Sequence, residues 1–308
     1  MSTEKLALAM ICKGEDEEGK KLDKALKSVA SYVEGMFITF TGELGKMDEA
    51  VEVAKKYNAH ISYNRALFIV EQKHVDWLKD FFGYEPYMKV GDQIFLFDEA
   101  RNYNFSQVPK DYTWILWMDT DDILRRGENL WKIKEIGQQA KIDAFFLNYL
   151  YQVDFDNSEY CEYCHQKLEE DNHRIRHIVI EHLRERIVKN DGTYKWIAPI
   201  HETLIEQRPS NKTDNYDCDI LHLAKFEDRL LSLTRNLKNL ELSIYKTEGK
   251  DPRHIYYLAK ALFDLATDQD LDKAIPLINL YLEGEHRSGW PEERSQAWEY
   301  LTEIYRRK

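Results

Sequence analysis

Three things are scarce in this chain of 308 residues: cysteine, long apolar runs and an excess of basic charge. Four cysteines in a chain of this size make no disulfide framework, which fits a reducing compartment and sets the expectation of a cytoplasmic protein. No stretch reaches the roughly 20 consecutive apolar residues that a membrane-spanning helix needs. The apolar run at residues 6–12 is only strand-length and no small-residue cleavage site follows it, so no signal peptide is expected. A formal charge of −12 disfavours non-specific nucleic-acid binding, because phosphate contacts need clusters of Lys and Arg and the basic residues here are scattered among acids. Any anionic ligand must meet a local site.

What the chain does have is 43% hydrophobic and 13% aromatic residues, the composition of a globular protein of one large or two ordinary domains. Strand-like and helix-like segments alternate from the start, which predicts an α/β sheet built from crossover units. Strands are expected at 6–12, 36–40, 59–62, 94–97, 113–118, 144–151, 175–180, 184–189 and 218–223. A helix with apolar positions Leu22, Leu26, Val29 and Val33 follows the first strand, and a second covers 47–57. Residues 64–93 break the rhythm as an aromatic-rich helical excursion, which would cap the site, hold a partner or pack as a helix on the sheet edge. After about residue 227 the chain reads as consecutive amphipathic helices at 227–247, 252–267, 271–282 and 291–306. Pro252 and Pro291 stand where proline starts helices, while Pro276 predicts a kink or a later start for the third. The run Tyr256 to Phe263, followed by Leu271, Ala274 and Ile275, has the large-on-small pattern of one tetratricopeptide-type unit.

The chemistry concentrates in Trp114-Ile115-Leu116-Trp117-Met118-Asp119-Thr120-Asp121-Asp122, where an apolar strand runs into three carboxylates. Carboxylates this close raise one another's pKa unless a cation compensates, and a divalent ion is the natural partner. Residues two apart in an extended segment point the same way, so Asp119 and Asp121 are expected to face one ion and Asp122 to look elsewhere. In open α/β sheets ligands bind beyond the carboxyl ends of strands, where this cluster falls. Cys161-x-x-Cys164-His165 is a second candidate metal motif; a zinc site there needs two more ligands from His173, His177 or His182, at a non-standard spacing.

Taken together, the motifs resemble a family 2 glycosyltransferase of GT-A fold carrying tetratricopeptide-like helices after the catalytic domain. The pieces that carry the resemblance occur in the family's order: Cys12-Lys13-Gly14-Glu15, Phe97-Asp98-Glu99-Ala100-Arg101-Asn102, the acid-tipped strand, His201-Glu202, and Ile220-Leu221-His222. The resemblance implies an α/β catalytic domain at 1–226 with an insertion at 64–93, and an all-α domain at 227–308. It implies a nucleotide-sugar donor with a Mn²⁺ or Mg²⁺ ion, Asp121 as direct metal ligand, Asp119 on the ribose or on the ion through water, and His222 completing the coordination. Cys12, Lys13, Glu15, Phe40, Thr41, Arg101 and Thr120 fall at the donor, with Arg101 reaching toward the diphosphate. Glu202 is the candidate general base, His201 its orienting neighbour and Asp122 a second choice of base. Where the family commonly has Asp-Thr-Gly, this chain has Phe40-Thr41-Gly42, which leaves uracil over another base open and suggests stacking by Phe40.

The function so implied is metal-dependent, inverting transfer of a hexose to a protein, peptide or cell-envelope glycan. The helical tail offers a surface for a polypeptide acceptor or a homodimer. Two other classes stay open: a non-catalytic scaffold that keeps the fold, and a nucleotidyltransferase, since acid pairs binding a metal serve that chemistry too.

Overall fold

The computed structural model describes residues 4–15, 17–155, 175–222, 229–283 and 290–308. In chain order it begins β1 (Leu6–Cys12), α1 (Glu18–Val29), β2 (Gly35–Phe40), α2 (Asp48–Lys56) and β3 (His60–Tyr63). There follow β4 (Leu67–Ile69), α3 (Gln72–Phe82), β5 (Gln93–Phe95), α4 (Phe97–Ser106), β6 (Trp114–Trp117), β7 (Asp122–Arg125), α5 (Leu130–Ala140), β8 (Ala144–Phe155) and β9 (Ile175–Lys189). The chain continues through β10 (Tyr194–Ile197), β11 (Thr203–Glu206) and β12 (Lys212–His222) to the helices α6 (Arg229–Lys246), α7 (Pro252–Leu265), α8 (Asp268–Glu283) and α9 (Pro291–Arg307). This is the α/β class with a helical C-terminal region that the sequence predicts.

Two compact units result. The first comprises Met1–Arg65, Ala100–Trp196 and Leu204–Ala224. Its sheet has eight strands among the described residues, in the order β3-β2-β1-β6-β9-β8-β12-β7. The half made of β3, β2, β1 and β6 is parallel throughout. Its central strands are apolar on both faces, as parallel strands covered by helices must be, and Leu6, Leu8, Met10 and Leu116 are buried with Leu22, Ala25, Leu26 and Val29 of α1. In the other half β9 runs antiparallel to both β6 and β8, while β8 and β12 are parallel. The two strand patterns expected at 175–180 and 184–189 are one continuous strand. The short β7 has only two apolar residues, Ile123 and Leu124, between an aspartate and an arginine, too few to mark a strand in the sequence; pairing antiparallel with β12 makes it one.

The second unit comprises Ala66–Glu99, Ile197–Thr203 and Lys225–Lys308. Here α7 packs with α6, α8 and α9 around Leu237, Leu240, Ile255, Leu258, Leu262 and Ile278. Asp251 caps α7 by accepting the Arg253 N–H at 2.9 Å, with Pro252 in the first turn where its missing N–H costs nothing. Helix α8 starts earlier than the residue 271 expected, because the Thr267 hydroxyl accepts the Asp270 N–H at 3.2 Å and opens the helix there; Pro276 lies inside it. The aromatic-rich excursion is helix α3 flanked by β4 and β5, and its Val70, Val75, Leu78, Met88 and Ile94 share a core with Leu242 of α6.

Glu241 ties that excursion to α6. Its buried carboxylate accepts the N–H groups of Tyr87 at 2.8 Å and Met88 at 2.7 Å. Burial pushes the Glu241 carboxyl up to about 7 despite those two donors. The folded chain therefore holds this proton more tightly than the unfolded one, so Glu241 lowers stability as pH rises from about 4.5 through about 7. Glu241→Gln is expected to flatten this dependence, by on the order of 1–3 kcal/mol between about pH 5 and pH 8 in urea unfolding. A variant with the slope of the wild type refutes the assignment.

Candidate active site

The acid cluster sits where the strand order reverses. From β1 the chain winds outward to β2 and β3, then returns to β6 on the other side of β1, so a crevice opens between the carboxyl ends of β1 and β6. Ala9 pairs with Trp117 at that end, and Met118 donates its N–H to the Ala9 carbonyl at 3.3 Å. Beyond Trp117 the backbone turns, closed by the Asp122 N–H on the Asp119 carbonyl at 3.1 Å, and re-enters the sheet as β7. Asp122 and His222 are direct cross-strand partners in the β7–β12 pair, which is how a histidine a hundred residues later reaches the acids.

The adjacent aspartates differ sharply. Asp122 is wholly buried. Its Oδ2 accepts Arg186 Nη1 at 3.0 Å and the Asp119 N–H at 3.0 Å. Its Oδ1 accepts the Tyr149 hydroxyl at 3.3 Å and lies 2.9 Å from His222 Nδ1. Arg186 is buried as well, its guanidinium carbon 3.8 Å from the Trp117 ring centroid and 4.1 Å from that of Tyr149, so two aromatic faces and one carboxylate replace its water. Asp121 instead keeps 26% of its side chain exposed, with Oδ1 3.5 Å from His222 Nδ1. Burial, with Asp119 and Asp122 nearby, pushes its carboxyl up to about 6 against the opposing effect of His222. Burial would lower the His222 pKa, but the Asp122 hydrogen bond and the charges of Asp121, Asp122 and Asp119 raise it.

One ligand atom from each of Asp121, Asp122 and His222 lies within 4.8 Å of the others. A carboxylate oxygen of Asp121 and the His222 imidazole suit Mn²⁺ or Mg²⁺, with Asp122, whose oxygens already accept from Arg186 and Tyr149, behind the histidine, so the residues fit the ion the sequence implies. The membership differs from the expected trio of Asp119, Asp121 and His222. The same-face rule for positions two apart assumes an extended backbone, and residues 119–122 form a turn; Asp122 joins His222 and Asp119 faces another way. With its carboxylate hydrogen-bonded and sealed from solvent, Asp122 is also unsuited to the second-choice role of base.

Asp119 Oδ1 accepts Arg101 Nη2 at 2.6 Å. Burial alone would raise its carboxyl, but the charges of Arg101 and Arg186 and the Arg101 hydrogen bond hold it well below the usual carboxylate range. Arg101, on α4, is itself buried, its guanidinium carbon 5.0 Å from the ring centroids of both Trp117 and Trp196. The next residue, Asn102, fixes Trp196 by donating to its carbonyl at 2.9 Å and accepting its N–H at 3.0 Å. Arg101 is thus braced within the protein.

At the carboxyl end of β1, Cys12 is buried beneath Lys13, whose ammonium pairs with Glu15 at 2.8 Å. That hydrogen bond lowers the Glu15 carboxyl, helped by the Glu43 N–H. Thr41 donates its N–H to the Cys12 carbonyl at 2.9 Å, joining the ends of β1 and β2. The approach here is close: a Cβ on Gly42 would stand 2.2 Å from the Lys13 carbonyl oxygen, so only glycine fits. Phe40, expected as a stacking face for a base, is 1% exposed and packs under Gly14 and beside Tyr63, because β2 is buried on both faces. Its ring belongs to the core; the exposed aromatic at that corner is Tyr63. Thr120 is half-buried in the acidic turn.

His201 and Glu202 belong to the second unit, His201 exposed and Glu202 half-buried. Cys161, Cys164, His165 and His173 lie outside the described residues, and so does the side chain of His177. Three residues of the acid site carry no signal in the sequence: Arg186, Tyr149 and Trp196. Arg186 stands in a strand between Glu185 and Ile187 with Arg184 two before it, a pattern that reads as a solvated edge.

No protein-family model matches the chain, and no curated protein matches its sequence. Among solved structures, it is similar to residues 1–349 of S. aureus TarS at 12% identity, covering 97% of this chain and 80% of that one with a TM-score of 0.38. The same TarS segment in complex with UDP aligns at 11% identity, over 97% and 80% of the two chains, with a TM-score of 0.31. A 4-diphosphocytidyl-2C-methyl-D-erythritol synthase from Anaerococcus prevotii aligns at 8% identity over 61% of this chain and 71% of that one, with a TM-score of 0.28.

Proposed function

We propose that the chain is a metal-dependent inverting glycosyltransferase of the family 2 type, using a nucleotide-activated hexose, with a UDP-sugar favoured. The observation that supports this most is the Asp121, Asp122 and His222 cluster at the switch point of the sheet, beside a braced arginine. Asp121 and His222 would hold Mn²⁺ or Mg²⁺. Asp122, locked by Arg186 and Tyr149, orients the His222 ring, as carboxylates behind metal-bound histidines do. The ion, when bound, stabilises negative charge developing on the diphosphate leaving group. Arg101 keeps Asp119 ionised and fixed, so that its second oxygen can accept from a ribose hydroxyl.

In the reaction the bond from the anomeric carbon to the diphosphate oxygen breaks as an acceptor oxygen attacks the opposite face. Glu202 takes the acceptor's proton in this reading, which rests on the sequence resemblance. The acceptor class is a protein, peptide or cell-envelope glycan.

Product analysis with Mn²⁺ tests the proposal. Slow release of UDP from UDP-glucose without acceptor supports it. Release of pyrophosphate from UTP points to nucleotidyl transfer, and neither product together with no nucleotide-sugar binding points to a scaffold.

A further inference from the structure

The loop that carries His201 and Glu202 joins β10 to β11, and its backbone is strained. Ala198 at φ 75° and His201 at φ 51° both occupy the left-handed region, which residues with a Cβ rarely adopt. Such conformations persist only where the surroundings over-determine them. Here the surroundings are the helices of the second unit. Ile200 is buried in the helical core with Leu237, Leu240 and Tyr256. Pro199 presents its carbonyl to the Phe97 N–H at 3.2 Å and to Asn239 Nδ2 of α6 at 3.4 Å.

The residues on either side of Glu202 are both held by α7. Before it, the His201 ring stacks on Tyr257, with centroids 4.3 Å apart and planes 23° from parallel. After it, Thr203 accepts Arg253 Nη1 at 3.4 Å on its hydroxyl oxygen. Arg253 lies one helical turn before Tyr257, donates Nη2 to its hydroxyl at 3.4 Å, and has its guanidinium carbon 5.4 Å from the ring centroid. Arg253 and Tyr257 thus brace each other and grip the loop at two points.

We infer that Arg253 and Tyr257 are positioning residues for the Glu202 carboxylate, so that the tetratricopeptide-like helices set the orientation of the base. The inference rests on the reading of Glu202 as that base. A base acts only within hydrogen-bond reach of its proton, and small misplacements of a reacting group are costly. A structural element that only offered a surface to a partner would have no reason to hold this loop in a strained shape.

The test uses the full chain and three variants: Tyr257→Ala, Tyr257→Phe and Glu202→Gln. Two readouts are taken, hydrogen exchange of the amides at 198–203 and steady-state hydrolysis of UDP-glucose with Mn²⁺. Tyr257→Ala is expected to speed exchange in that loop and to lower kcat by about 10- to 100-fold with the donor KM little changed. Tyr257→Phe keeps the stacked ring and is expected to restore both. Exchange at wild-type rate in Tyr257→Ala overturns the inference whatever happens to turnover. Faster exchange with undiminished kcat, while Glu202→Gln is inactive, overturns the positioning role and leaves the base assignment standing. An active Glu202→Gln removes the base and the inference with it, even if the exchange result shows that the loop is gripped.

Discussion

Asp121→Ala is expected to lower donor turnover by about 10²- to 10⁴-fold, the several kcal/mol that a metal ion contributes to charge on a leaving diphosphate. Stability should move the other way. Burial and two neighbouring aspartates raise the Asp121 carboxyl to about 6, so in the folded protein without metal the ionised form is costly. For an acid whose folded pKa is raised, the cost appears as pH climbs from the unfolded value near 3.8 through about 6 and is complete above it. The alanine variant should therefore melt at the same temperature as the metal-free wild type, or higher, near neutral pH, with the gain fading toward about pH 4. Thermal unfolding across that range, alongside UDP-glucose hydrolysis, checks both halves. An active Asp121→Ala, or one that melts well below the wild type, contradicts the assignment of this residue to the metal.

The second large effect is on folding and comes from the neighbouring residue. Arg186→Ala leaves the Asp122 carboxylate buried without its counter-charge and empties the space between Trp117 and Tyr149. Breaking a buried pair from one side costs about 3–5 kcal/mol, against about 5–15 kcal/mol for a whole domain. The variant should unfold at much lower urea than the wild type. Pairing Arg186→Met with Asp122→Asn leaves no buried charge without its partner and should recover part of the loss, since much of the cost of breaking a buried pair is the orphaned charge. If Arg186→Ala costs under about 1 kcal/mol, Asp122 is not held as described.

These two predictions separate residues that the sequence presents as equals. Asp119, Asp121 and Asp122 form one acidic run, and side-chain alternation was the available rule for sorting them. It failed because a tight turn, closed from Asp122 to Asp119, replaces the extended backbone the rule needs. The information that selects Asp122 as the buried member lies in Arg186 on β9, Tyr149 on β8 and His222 on β12, three strands distant in sequence and adjacent in the sheet. His222 itself was legible through its place in the order of motifs. Arg186 was not, since nothing local distinguishes a buried arginine from a solvated one.

The parallel half of the sheet was legible almost residue by residue. Strands apolar on both faces, such as β1 and β2, announce their burial, and α1 announces its inner face by spacing. The pattern of the 64–93 segment is helical, and α3 is there; its company is not legible locally, because packing against Leu242 and Glu241 of α6 depends on chain far downstream. Phe40 was misplaced for a related reason. A phenylalanine at a strand end looks the same from sequence whether it faces a ligand or the core.

In the proposed reaction Asp121 and His222, the latter oriented by the buried Asp122, hold a divalent ion that a nucleotide diphosphate shares. Calorimetric titration of Mn²⁺ into the metal-stripped protein, in the presence of UDP, tests it most directly. One Mn²⁺ should bind per chain, with affinity falling by about tenfold or more in Asp121→Ala and in His222→Ala. Wild-type affinity and stoichiometry in Asp121→Ala would contradict it.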